Sequence, residues 1–404
     1  MEIKFIDHID DFKEFINDLF DEAIWMWVSD IHIEVLKEKV IIRYRIDGDI
    51  HQFYNIWYEN KDNLITRIKI LAQLKIDESR LPQDWQIVYS YENEKSSSED
   101  IDMRISTFPT IHWEKIVVRL LRKDMNLLNL DRLWFTQYNL NSIKKVLWLK
   151  EWLILLWWAT WSGKTTTLYS MLNSFNPFKY NICTLEDPIE YKIEWINQSQ
   201  VKSEIWYDFS SWLRTLLRQD PDIILVWEIR DKETAKLAIE ASMTWHLVFG
   251  TIHANKWIWV VERLLNMWID PYLIASSLKM ILSQRLVKKT CSCAIESSEL
   301  NPDYERIFKD GIPHIWDSIK SNIKIKTPSW CENCLNSWYK WRLWLYELVV
   351  IDDDISRLIS AWLDSSKRYE LSREKGMMTA YQDGLLKSAY WLTDINQILP
   401  YKDL

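Results

Sequence analysis

The sequence predicts an α/β protein in which a small mixed domain precedes a larger domain built on a parallel sheet. Apolar runs of strand length alternate with segments of helical periodicity along the 404 residues. At 153–169, LILLWWATWSGKTTTLY, an apolar run leads through a loop into a helix, which is the setting of a phosphate-binding loop. Two later apolar runs, 181–185 and 223–226, are followed by acidic residues. Ligands of parallel α/β sheets bind at such strand ends.

Composition and charge narrow the functional classes. Charged residues make up 27% and apolar residues 48% of the chain, an ordinary soluble balance. The net charge of −8 argues against general nucleic-acid binding. No apolar stretch reaches the roughly 18 residues of a membrane helix, and the acidic start lacks a signal-peptide core. We therefore expect a cytoplasmic protein that contacts a membrane only through partners.

The first domain is expected at residues 1–124. Its pattern predicts a helix at 10–28, strands at 31–34 and 40–44 before a turn at Asp47 and Gly48, a helix at 63–74, a polar loop at 92–100, and strands at 101–106 and 115–121. A linker and a helix at 125–150 are expected to lead into the second domain.

The segment 158–166 supplies the candidate phosphate-binding residues. Its end, SGKT, closes the motif GxxxxGK[ST]. In such loops backbone N–H groups and the helix dipole hold the β- and γ-phosphates, the lysine adds a positive charge and the following hydroxyl reaches Mg²⁺. The candidate nucleotide-binding residues are therefore Trp158, Ala159, Thr160, Trp161, Ser162, Gly163, Lys164, Thr165 and Thr166.

Two residues of this loop contradict the motif. The positions where glycine is expected, 158 and 161, are both tryptophan. Glycine is used there because the backbone must adopt a positive φ and approach the phosphates without a Cβ. A positive φ at tryptophan costs roughly 1–2 kcal/mol, and an indole would fill the space of the phosphate. With tryptophan at both positions, the loop is not expected to bind ATP.

The overall composition offers an explanation. The chain has 6 glycines and 26 tryptophans, whereas about 7% glycine, or roughly 28 residues, is usual for this length. Several tryptophans stand where turns need glycine, among them Trp85, Trp245 and Trp330. We hypothesise that most of these codons, with UGA as the expected codon, are read as glycine in the source organism and are translated here as tryptophan. The alternative is a tryptophan-rich, inactive relative of a nucleotide-binding protein.

Acidic residues at a strand end are candidate metal-binding groups. The segment 181–191, NICTLEDPIEY, places Glu186, Asp187 and Glu190 after an apolar run. Carboxylates at the carboxyl end of a strand in a parallel sheet lie near the phosphates and can hold Mg²⁺ through water molecules. The alternative for these three residues is a solvated acidic loop.

The next segment combines one carboxylate with two arginines. Residues 213–231 read LRTLLRQDPDIILVWEIRD, in which Glu228 follows the apolar strand 223–226 and a tryptophan. Arg214 and Arg218 are one helical turn apart, so both can face the nucleotide or a neighbouring subunit. A salt-bridged helix face is the alternative for these two arginines.

Two histidines flank the short strand around Phe249. A lone histidine is more often a structural residue than a catalytic one. His246 and His253 stand at the two ends of one strand that follows Glu228 in the chain. This placement favours a role in sensing the γ-phosphate.

Four of the five cysteines form two pairs. Cys291 and Cys293 are separated by 37 residues from Cys331 and Cys334. In a reducing compartment such pairs indicate a metal rather than disulfides, and four thiolates suit tetrahedral Zn²⁺. The first pair is one residue shorter than the usual Cys-x-x-Cys. Independent buried thiols are the alternative, and Cys183 is expected to pack in a core strand.

The motifs together are similar to the secretion ATPase superfamily, which comprises type II secretion protein E and the type IV pilus assembly and retraction motors. With glycine at 158 and 161 the loop becomes GATGSGKT, which is very similar to the family's loop. Further similar segments are SDIHIE at 29–34, RYRIDG at 43–48, RLPQD at 80–84, DMRIST at 102–107, and 338–348, which becomes GYKGRLGLYEL. The acidic segment, the Glu228 segment and the two-histidine segment resemble the family's aspartate box, Walker B segment and histidine box.

The resemblance implies an architecture and a catalytic set. The architecture is a small mixed α/β N-terminal domain, a RecA-like P-loop ATPase core at 151–290, a zinc-binding tetracysteine insertion at 291–345 and a helical C-terminal tail at 346–404. The cofactors would be ATP, Mg²⁺ and Zn²⁺, with ATP bound between the two domains. Glu228 would position or deprotonate the attacking water, and Arg104 and Arg119 would reach the phosphates from the first domain.

The resemblance also implies a biological role. The cysteines favour pilus assembly or type II secretion over pilus retraction, whose motors lack them. The expected protein is a homohexamer at the inner face of the plasma membrane, with an inner-membrane platform protein as partner. The extra N-terminal domain of many extension motors is not expected in this protein, so docking to the platform is expected to differ. The alternatives are a nucleic-acid translocase and, if the tryptophans are real, a catalytically dead scaffold.

Overall fold

The first unit of the computed structural model is a mixed sheet covered by helices, within residues 1–123; the second unit is residues 124–404. The structure describes residues 3–92, 98–121, 128–149, 151–158, 163–190, 192–201, 209–254, 256–297, 302–320, 323, 325–327, 331, 334, 337–362 and 364–402.

Unit 1 (residues 1–123) contains seven described strands and two described α-helices. In chain order these are β1 (Lys4–Ile6), α1 (Phe12–Trp25), β2 (Asp30–Val35), β3 (Lys39–Ile46), β4 (Asp49–Trp57), α2 (Lys61–Leu71), β5 (Gln83–Glu92), β6 (Ser98–Pro109) and β7 (Glu114–Leu121). The strand order is β1-β4-β3-β2-β7-β6-β5, with β1 and β4 parallel and the other described pairs antiparallel.

The two faces of this sheet have opposite character because side chains alternate along each strand. On β7, Ile116 and Val118 are fully buried in one core with the apolar residues of α1 and α2. Lys115 and Arg119 alternate with them and are partly exposed. This alternation leaves a polar face, rich in arginine, on the side of the sheet opposite the helices.

The predicted strands and helices of unit 1 are present, but strands β1, β4 and β5 were not predicted and one predicted loop is shorter. Strand β5 is an edge strand whose side chains are largely exposed, so its apolar pattern is weak. The predicted loop 92–100 is shorter, because Glu99 and Asp100 pair with Tyr91 and Ser90 in the β5–β6 ladder. Residues 93–97 lie outside the described residues.

Unit 2 (residues 124–404) carries the larger sheet. Its elements are α3 (Gln137–Leu147), β8 (Trp152–Trp158), α4 (Lys164–Leu172), β9 (Ile182–Glu186), β10 (Asn197–Gln200), α5 (Phe209–Leu216), β11 (Ile223–Val226), α6 (Lys232–Ser242), β12 (Leu247–Ile252), α7 (Trp257–Asn266), α8 (Pro271–Ser277), β13 (Leu278–Thr290), β14 (Ile295–Ser297), α9 (Pro302–Gly311), α10 (Pro313–Ile319), β15 (Ile325–Thr327), β16 (Tyr339–Val350), α11 (Asp353–Ser360), α12 (Ser365–Glu374) and α13 (Ala380–Ala389).

The large sheet is parallel except at one edge. Its strand order is β10-β9-β11-β12-β8-β13-β16, and β16 runs antiparallel to β13. Strands β9, β11 and β12 and residues 153–157 of β8 are buried and mostly apolar, as expected for strands covered on both faces. Because these four strands are parallel, their carboxyl ends meet at one edge of the sheet. The predicted α/β fold is therefore confirmed.

The C-terminal part of the chain packs on this same sheet. Strand β16 crosses residue 345, the expected end of the tetracysteine insertion, and completes the large sheet. Helix α13 is fastened to β16 by Asp383, which accepts the Tyr346 N–H at 2.8 Å and pairs with Lys387. Helices α11 to α13 agree with the predicted helical tail. Within the described part of the chain, every helix is too short or too polar to cross a bilayer.

Tryptophan dominates the left-handed backbone positions. Among the described residues, thirteen non-glycine residues have a positive φ, and ten of these are Trp27, Trp134, Trp152, Trp195, Trp245, Trp268, Trp338, Trp341, Trp362 and Trp391. A bulky side chain rarely adopts this conformation because its Cβ crowds the backbone carbonyl. At roughly 1–2 kcal/mol each, ten such residues cost about 10–20 kcal/mol. That cost is comparable to the ~5–15 kcal/mol stability of a typical domain.

Candidate functional site

The loop between β8 and α4 leaves the carboxyl edge of the large sheet. Gly163 caps α4 with a φ of 74°, and Lys164 and Thr165 begin the helix. A Cβ on Gly163 would lie 2.4 Å from the indole nitrogen of Trp344, so the position needs glycine for both backbone and space. The predicted residues Ala159, Thr160, Trp161 and Ser162, with the side chain of Trp158, lie outside the described residues. Thr166 lies in the first turn of α4.

Lys164 meets an indole where the motif predicts phosphate. Its Nζ lies 4.7 Å from the ring centroid of Trp227, which is 3% exposed. Burial lowers the pKa of Lys164, while the charges of Glu190 and Glu228 act in the opposite direction. An ammonium group over an aromatic face is held by cation–π attraction. The Trp227 side chain therefore lies beside the Lys164 ammonium group, which has to reach the phosphates of a nucleotide.

Glu228 lies two residues beyond β11, and each of its carboxylate oxygens contacts a basic side chain. Arg230 Nη2 lies 2.5 Å from its Oε2, and His253 Nε2 lies 3.1 Å from its Oε1. Burial works to raise the pKa of Glu228, but the hydrogen bond and charge of Arg230, together with His253 and Lys164, bring it below its ordinary value. The carboxylate is therefore ionised at neutral pH and able to accept a proton or a hydrogen bond from water.

The backbone around Glu228 is fixed by the neighbouring strands. The Trp227 N–H donates to the Leu185 carbonyl at 2.8 Å, and the Ile229 N–H donates to the Thr251 carbonyl at 2.8 Å. The Thr251 hydroxyl donates to the Trp227 carbonyl. These hydrogen bonds to β9 and β12 hold the short segment after β11 in one position. The sheet thereby fixes the direction of the Glu228 carboxylate.

The three acidic residues after β9 do not share one environment. Glu186, the last residue of β9, is fully buried and accepts hydrogen bonds from Thr184 at 2.6 Å, Gln198 at 3.0 Å and the Tyr169 hydroxyl. Burial raises its pKa in spite of these donors. Asp187 is exposed and Glu190 is partly exposed. The structure thus leaves Asp187 and Glu190 accessible at the sheet edge and places Glu186 in the core.

The two histidines lie at opposite edges of the sheet. His253 follows β12 and contacts Glu228. His246 precedes β12, its carbonyl accepts the Trp152 N–H at the start of β8, and its Nδ1 lies 3.0 Å from the Ala241 carbonyl. A six-residue strand spans about 20 Å, so the structure does not bring His246 to the site. The two histidines flank a single strand, β12, and the two ends of a strand reach opposite edges of the sheet.

Arg104 and Arg119 face each other across the β6–β7 ladder of unit 1. Arg119 Nε lies 2.8 Å from Asp30 Oδ1, and Arg45 Nε lies 3.8 Å from the other oxygen of the same carboxylate. Arg104 and Arg119 therefore lie on neighbouring strands. Within unit 1, Arg119 forms an ion pair with Asp30 of the adjacent strand β2.

The two arginines before β11 lie on the outside of unit 2. Arg214 in α5 forms an ion pair with Glu233 in α6. The Arg218 guanidinium donates to the Thr215 hydroxyl at 3.3 Å. For Arg214 the structure shows the salt-bridged helix surface that was the alternative expectation.

The four paired cysteines converge on one point. The sulfurs of Cys291, Cys293, Cys331 and Cys334 all lie within 4.8 Å of one another, and those of Cys293 and Cys334 are 3.8 Å apart. A tetrahedral zinc with Zn–S bonds of about 2.3 Å requires sulfur separations of roughly 3.8 Å. The shorter Cys-x-Cys pair therefore does not prevent closure of the cluster. Cys183 is buried in β9, away from this cluster, as expected.

The electrostatics of the cluster also suit a cation. Burial, followed by hydrogen bonds with Cys291 and Cys334, raises the pKa of Cys293 to about 12. Four thiols packed together cannot ionise jointly unless a positive charge compensates them. The donor set and its geometry are consistent with zinc.

Arg230 is a site residue that the sequence reasoning missed. The signal was available, since in Glu-Ile-Arg after β11 residues two apart point to the same side of extended backbone. Thr251, which fixes the Trp227 carbonyl, was also missed, because a hydroxyl inside an apolar strand gives no sequence pattern.

Comparison with known proteins places the chain in a family. A family model described as type II/IV secretion system protein matches residues 8–400. The chain is 36% identical to the type IV pilus assembly ATPase PilB of Thermus thermophilus over 96% of its length and 42% of that protein's. It is 36% identical to type II secretion system protein E of Xanthomonas campestris, covering 95% of this chain and 66% of the relative. The chain thus spans about half to two-thirds of these relatives' length.

Two solved structures share the fold. The pilus retraction motor PilT with bound ADP matches with a TM-score of 0.60 at 25% identity, covering 96% of both chains. The ATPase DotB of Legionella pneumophila matches with a TM-score of 0.68 at 17% identity over 98% of both chains, which supports the fold alone. With a family match over nearly the whole length, the chain belongs to the type II/IV secretion system ATPase family.

Proposed function

We propose that this protein is a motor ATPase that hydrolyses ATP with Mg²⁺ to drive type IV pilus assembly or type II secretion. The observation that carries the proposal is the meeting of Lys164, Glu228 and His253 at the carboxyl edge of the large sheet. The names of the relatives, a pilus assembly ATPase and a type II secretion protein, supply the process. The working protein needs glycine at 158, 161 and 227.

Binding is assigned to the loop and the start of α4. Backbone N–H groups of 158–166 and the positive end of α4 would hold the phosphates, and Lys164 would leave position 227 to pair with the β- and γ-oxygens. The Thr165 hydroxyl with Asp187 and Glu190 would hold Mg²⁺, the last two through water. When bound, Mg²⁺ supplies charge neutralisation at the transferring phosphoryl group. Glu186 is too enclosed by its three donors to join them.

Glu228 is the residue we assign to the attacking water. Its carboxylate is ionised, faces the same edge as Lys164 and can accept the water proton as attack proceeds. Arg230 holds one carboxylate oxygen, which leaves the other to bind the water once His253 turns towards the γ-phosphate. In this assignment Arg230 is a positioning residue and His253 senses the nucleotide.

Arg104 and Arg119 are proposed to add positive charge to the phosphates. Such guanidinium groups can accelerate phosphoryl transfer by roughly 10³-fold or more. Release of Arg119 from Asp30 would accompany this role. If Arg104→Ala and Arg119→Ala proteins assemble normally and keep full ATPase activity, the two arginines serve unit 1 alone.

The oligomer and its partners are proposed from the family. We propose a cytoplasmic homohexamer that docks on an inner-membrane platform protein and contacts the membrane through that partner. Sedimentation of the protein with ATP tests the hexamer, and a monomer at all nucleotide concentrations would refute it. Stimulation of the ATPase by DNA would favour the nucleic-acid translocase instead.

The decisive experiment compares two loops. Protein with glycine at 158, 161 and 227 should bind and hydrolyse ATP, whereas protein with tryptophan there should do neither, because indoles fill the phosphate space. Lys164→Ala in the glycine-loop protein should abolish binding by removing the cation from the β- and γ-phosphates. Lys236→Ala, at an exposed position of α6, is the matched control and should bind normally. Absence of ATP binding by the glycine-loop protein would refute the proposed function.

A further inference from the structure

Three tryptophans end helices in one shared geometry. Trp27, Trp268 and Trp391 follow the C-cap residues of α1, α7 and α13. Each N–H donates to the carbonyl three residues earlier, at 3.2, 2.9 and 3.0 Å, and the next N–H donates five residues back, at 2.9, 3.2 and 2.9 Å. This bond pattern is the Schellman motif, in which the left-handed residue is usually glycine.

Gly376 provides the same motif with the usual residue. After α12 its N–H donates to the Arg373 carbonyl at 3.0 Å, and the Met377 N–H donates to the Ser372 carbonyl at 3.0 Å. Its φ is 92°, and the three tryptophans have φ values of 59°, 62° and 65°. Gln73 after α2 shows that a flexible, unbranched side chain can also occupy the position. Tryptophan occupies three of these five helix-end positions in the described part of the chain, and backbone preference does not explain this recurrence.

Packing does not compensate two of the three indoles, those of Trp27 and Trp268, or most of the others; Trp391 is partly buried. Trp268 and Trp245 are each 83% exposed, and Trp27 is 45% exposed. An exposed side chain gains little from burial. A left-handed backbone and an exposed side chain are together the properties of glycine positions, and they hold for eight of the ten tryptophans with positive φ.

We propose that the ten tryptophans with positive φ are glycines in the protein that the cell makes, because a codon translated here as tryptophan is read there as glycine. Trp316 is the contrasting case. It lies inside α10, is 8% exposed and belongs to the buried cluster that contains Phe308 and Leu385. Its helical backbone and buried ring assign it as a genuine tryptophan. The inference does not rest on ATP hydrolysis.

Peptide masses of the protein from its native cells test this assignment. Peptides that cover positions 27, 268 and 391 should carry glycine, and the peptide that covers 316 should carry tryptophan. In the gene, the ten positions should share one codon that differs from the codon at 316. Tryptophan in the native peptides at 27, 268 and 391 would overturn the inference, whatever the ATPase assay shows.

Thermal unfolding provides a second test that needs no native material. In protein with glycine at the other seven positions, the triple variant Trp27→Gly, Trp268→Gly and Trp391→Gly is compared with alanine at the same three sites. The alanine protein should melt several degrees lower, at about 2–4 °C per position for a domain of this size. Gly376→Ala calibrates one such position. Equal melting of the glycine and alanine proteins would overturn the backbone argument.

A control variant with the opposite expected change in melting temperature distinguishes the effect of backbone geometry from the effect of removing any indole. Trp316→Gly should lower the melting temperature, because it removes buried apolar surface and places glycine inside a helix. The triple variant Trp27→Gly, Trp268→Gly and Trp391→Gly should instead raise the melting temperature relative to tryptophan at these sites, because it relieves the left-handed backbone. If Trp316→Gly raises it as well, the assignment by φ is wrong.

Discussion

Glu186 and Glu228 end adjacent parallel strands, yet their surroundings differ in charge. Glu186 is enclosed by the neutral donors Thr184, Gln198 and Tyr169. Glu228 is nearly as buried but lies between Arg230 and His253. Burial penalises both carboxylates, and only positive charge outweighs this penalty. The pKa of Glu186 is therefore raised, and the pKa of Glu228 is lowered.

This difference separates two roles at one edge of a sheet. A carboxylate whose pKa is lowered by neighbouring cations is ionised and ready to act on water. The two oxygens of the Glu186 carboxylate both accept hydrogen bonds from buried donors. This carboxylate links strand β9 to Tyr169 of α4 and Gln198 of β10. We infer that the position of a strand end does not by itself make a residue catalytic, and that the charge around it decides.

The largest expected effect comes from Glu228→Gln in the glycine-loop protein. The amide keeps the size and removes the base, so ATP hydrolysis should fall by about 10²-fold or more. ATP affinity should change little, because Lys164 and Thr165 remain. Steady-state hydrolysis and nucleotide titration measure the two quantities. Hydrolysis at the unmutated rate would show that Glu228 is not the catalytic carboxylate, and Glu186 would be examined next.

Arg230→Gln should alter the pH profile of hydrolysis. Without Arg230 the lowered pKa of Glu228 rises, and the carboxylate is needed in its ionised form. Activity is lost as the pH falls through that pKa, so the acid limb should move to higher pH. The rate at neutral pH should fall by roughly tenfold, the value of one charge-assisted hydrogen bond. Arg230→Lys should restore part of the rate, and an unmoved acid limb would exclude the positioning role.

The cysteine cluster extends the comparison to thiols, because burial and then the neighbouring thiols raise the pKa of Cys293 to about 12. Bound zinc should reverse this and hold all four as thiolates. We expect about one zinc per chain and its loss in Cys293→Ser, whereas Cys183→Ser should keep it. Elemental analysis measures the metal. A zinc-free protein with all four thiols freely titratable would refute the site, and ATP binding should survive loss of the metal.

The smallest effect is expected for Glu186→Gln. Because burial raises its pKa, the folded state disfavours ionised Glu186, and this destabilisation develops as the pH rises above the ordinary glutamate value. The amide cannot ionise, so the free energy of unfolding should depend less on pH between about 5 and 8. Hydrolysis should stay within about threefold. Denaturant titrations at both pH values test this, and a hydrolysis defect as large as that of Glu228→Gln would remove the distinction between the two residues.

The sequence alone predicted many of the elements and proposed the site. The motif around Lys164, the placement of Glu228 and the pairing of the cysteines depend on spacing along the chain. The structure places Glu228 after β11 and brings the four paired cysteines together, while the predicted loop residues 159–162 lie outside the described residues. Composition alone also raised the glycine hypothesis, because 6 glycines are too few for this length. Local periodicity and motif spacing depend only on the order of residues along the chain, so they can be recognised without knowledge of long-range contacts.

The tertiary structure alone decided which nearby residues share a site. His246 and His253 are close in the chain but reach opposite edges, because a parallel strand separates them. Glu186 and Asp187 are adjacent, yet one is enclosed and the other exposed. Arg230 contacts Glu228 because hydrogen bonds to β9 and β12 hold the segment after β11 in place. The identity of the ten left-handed tryptophans likewise depends on φ, which helix ends and turns impose and which side-chain patterns do not encode.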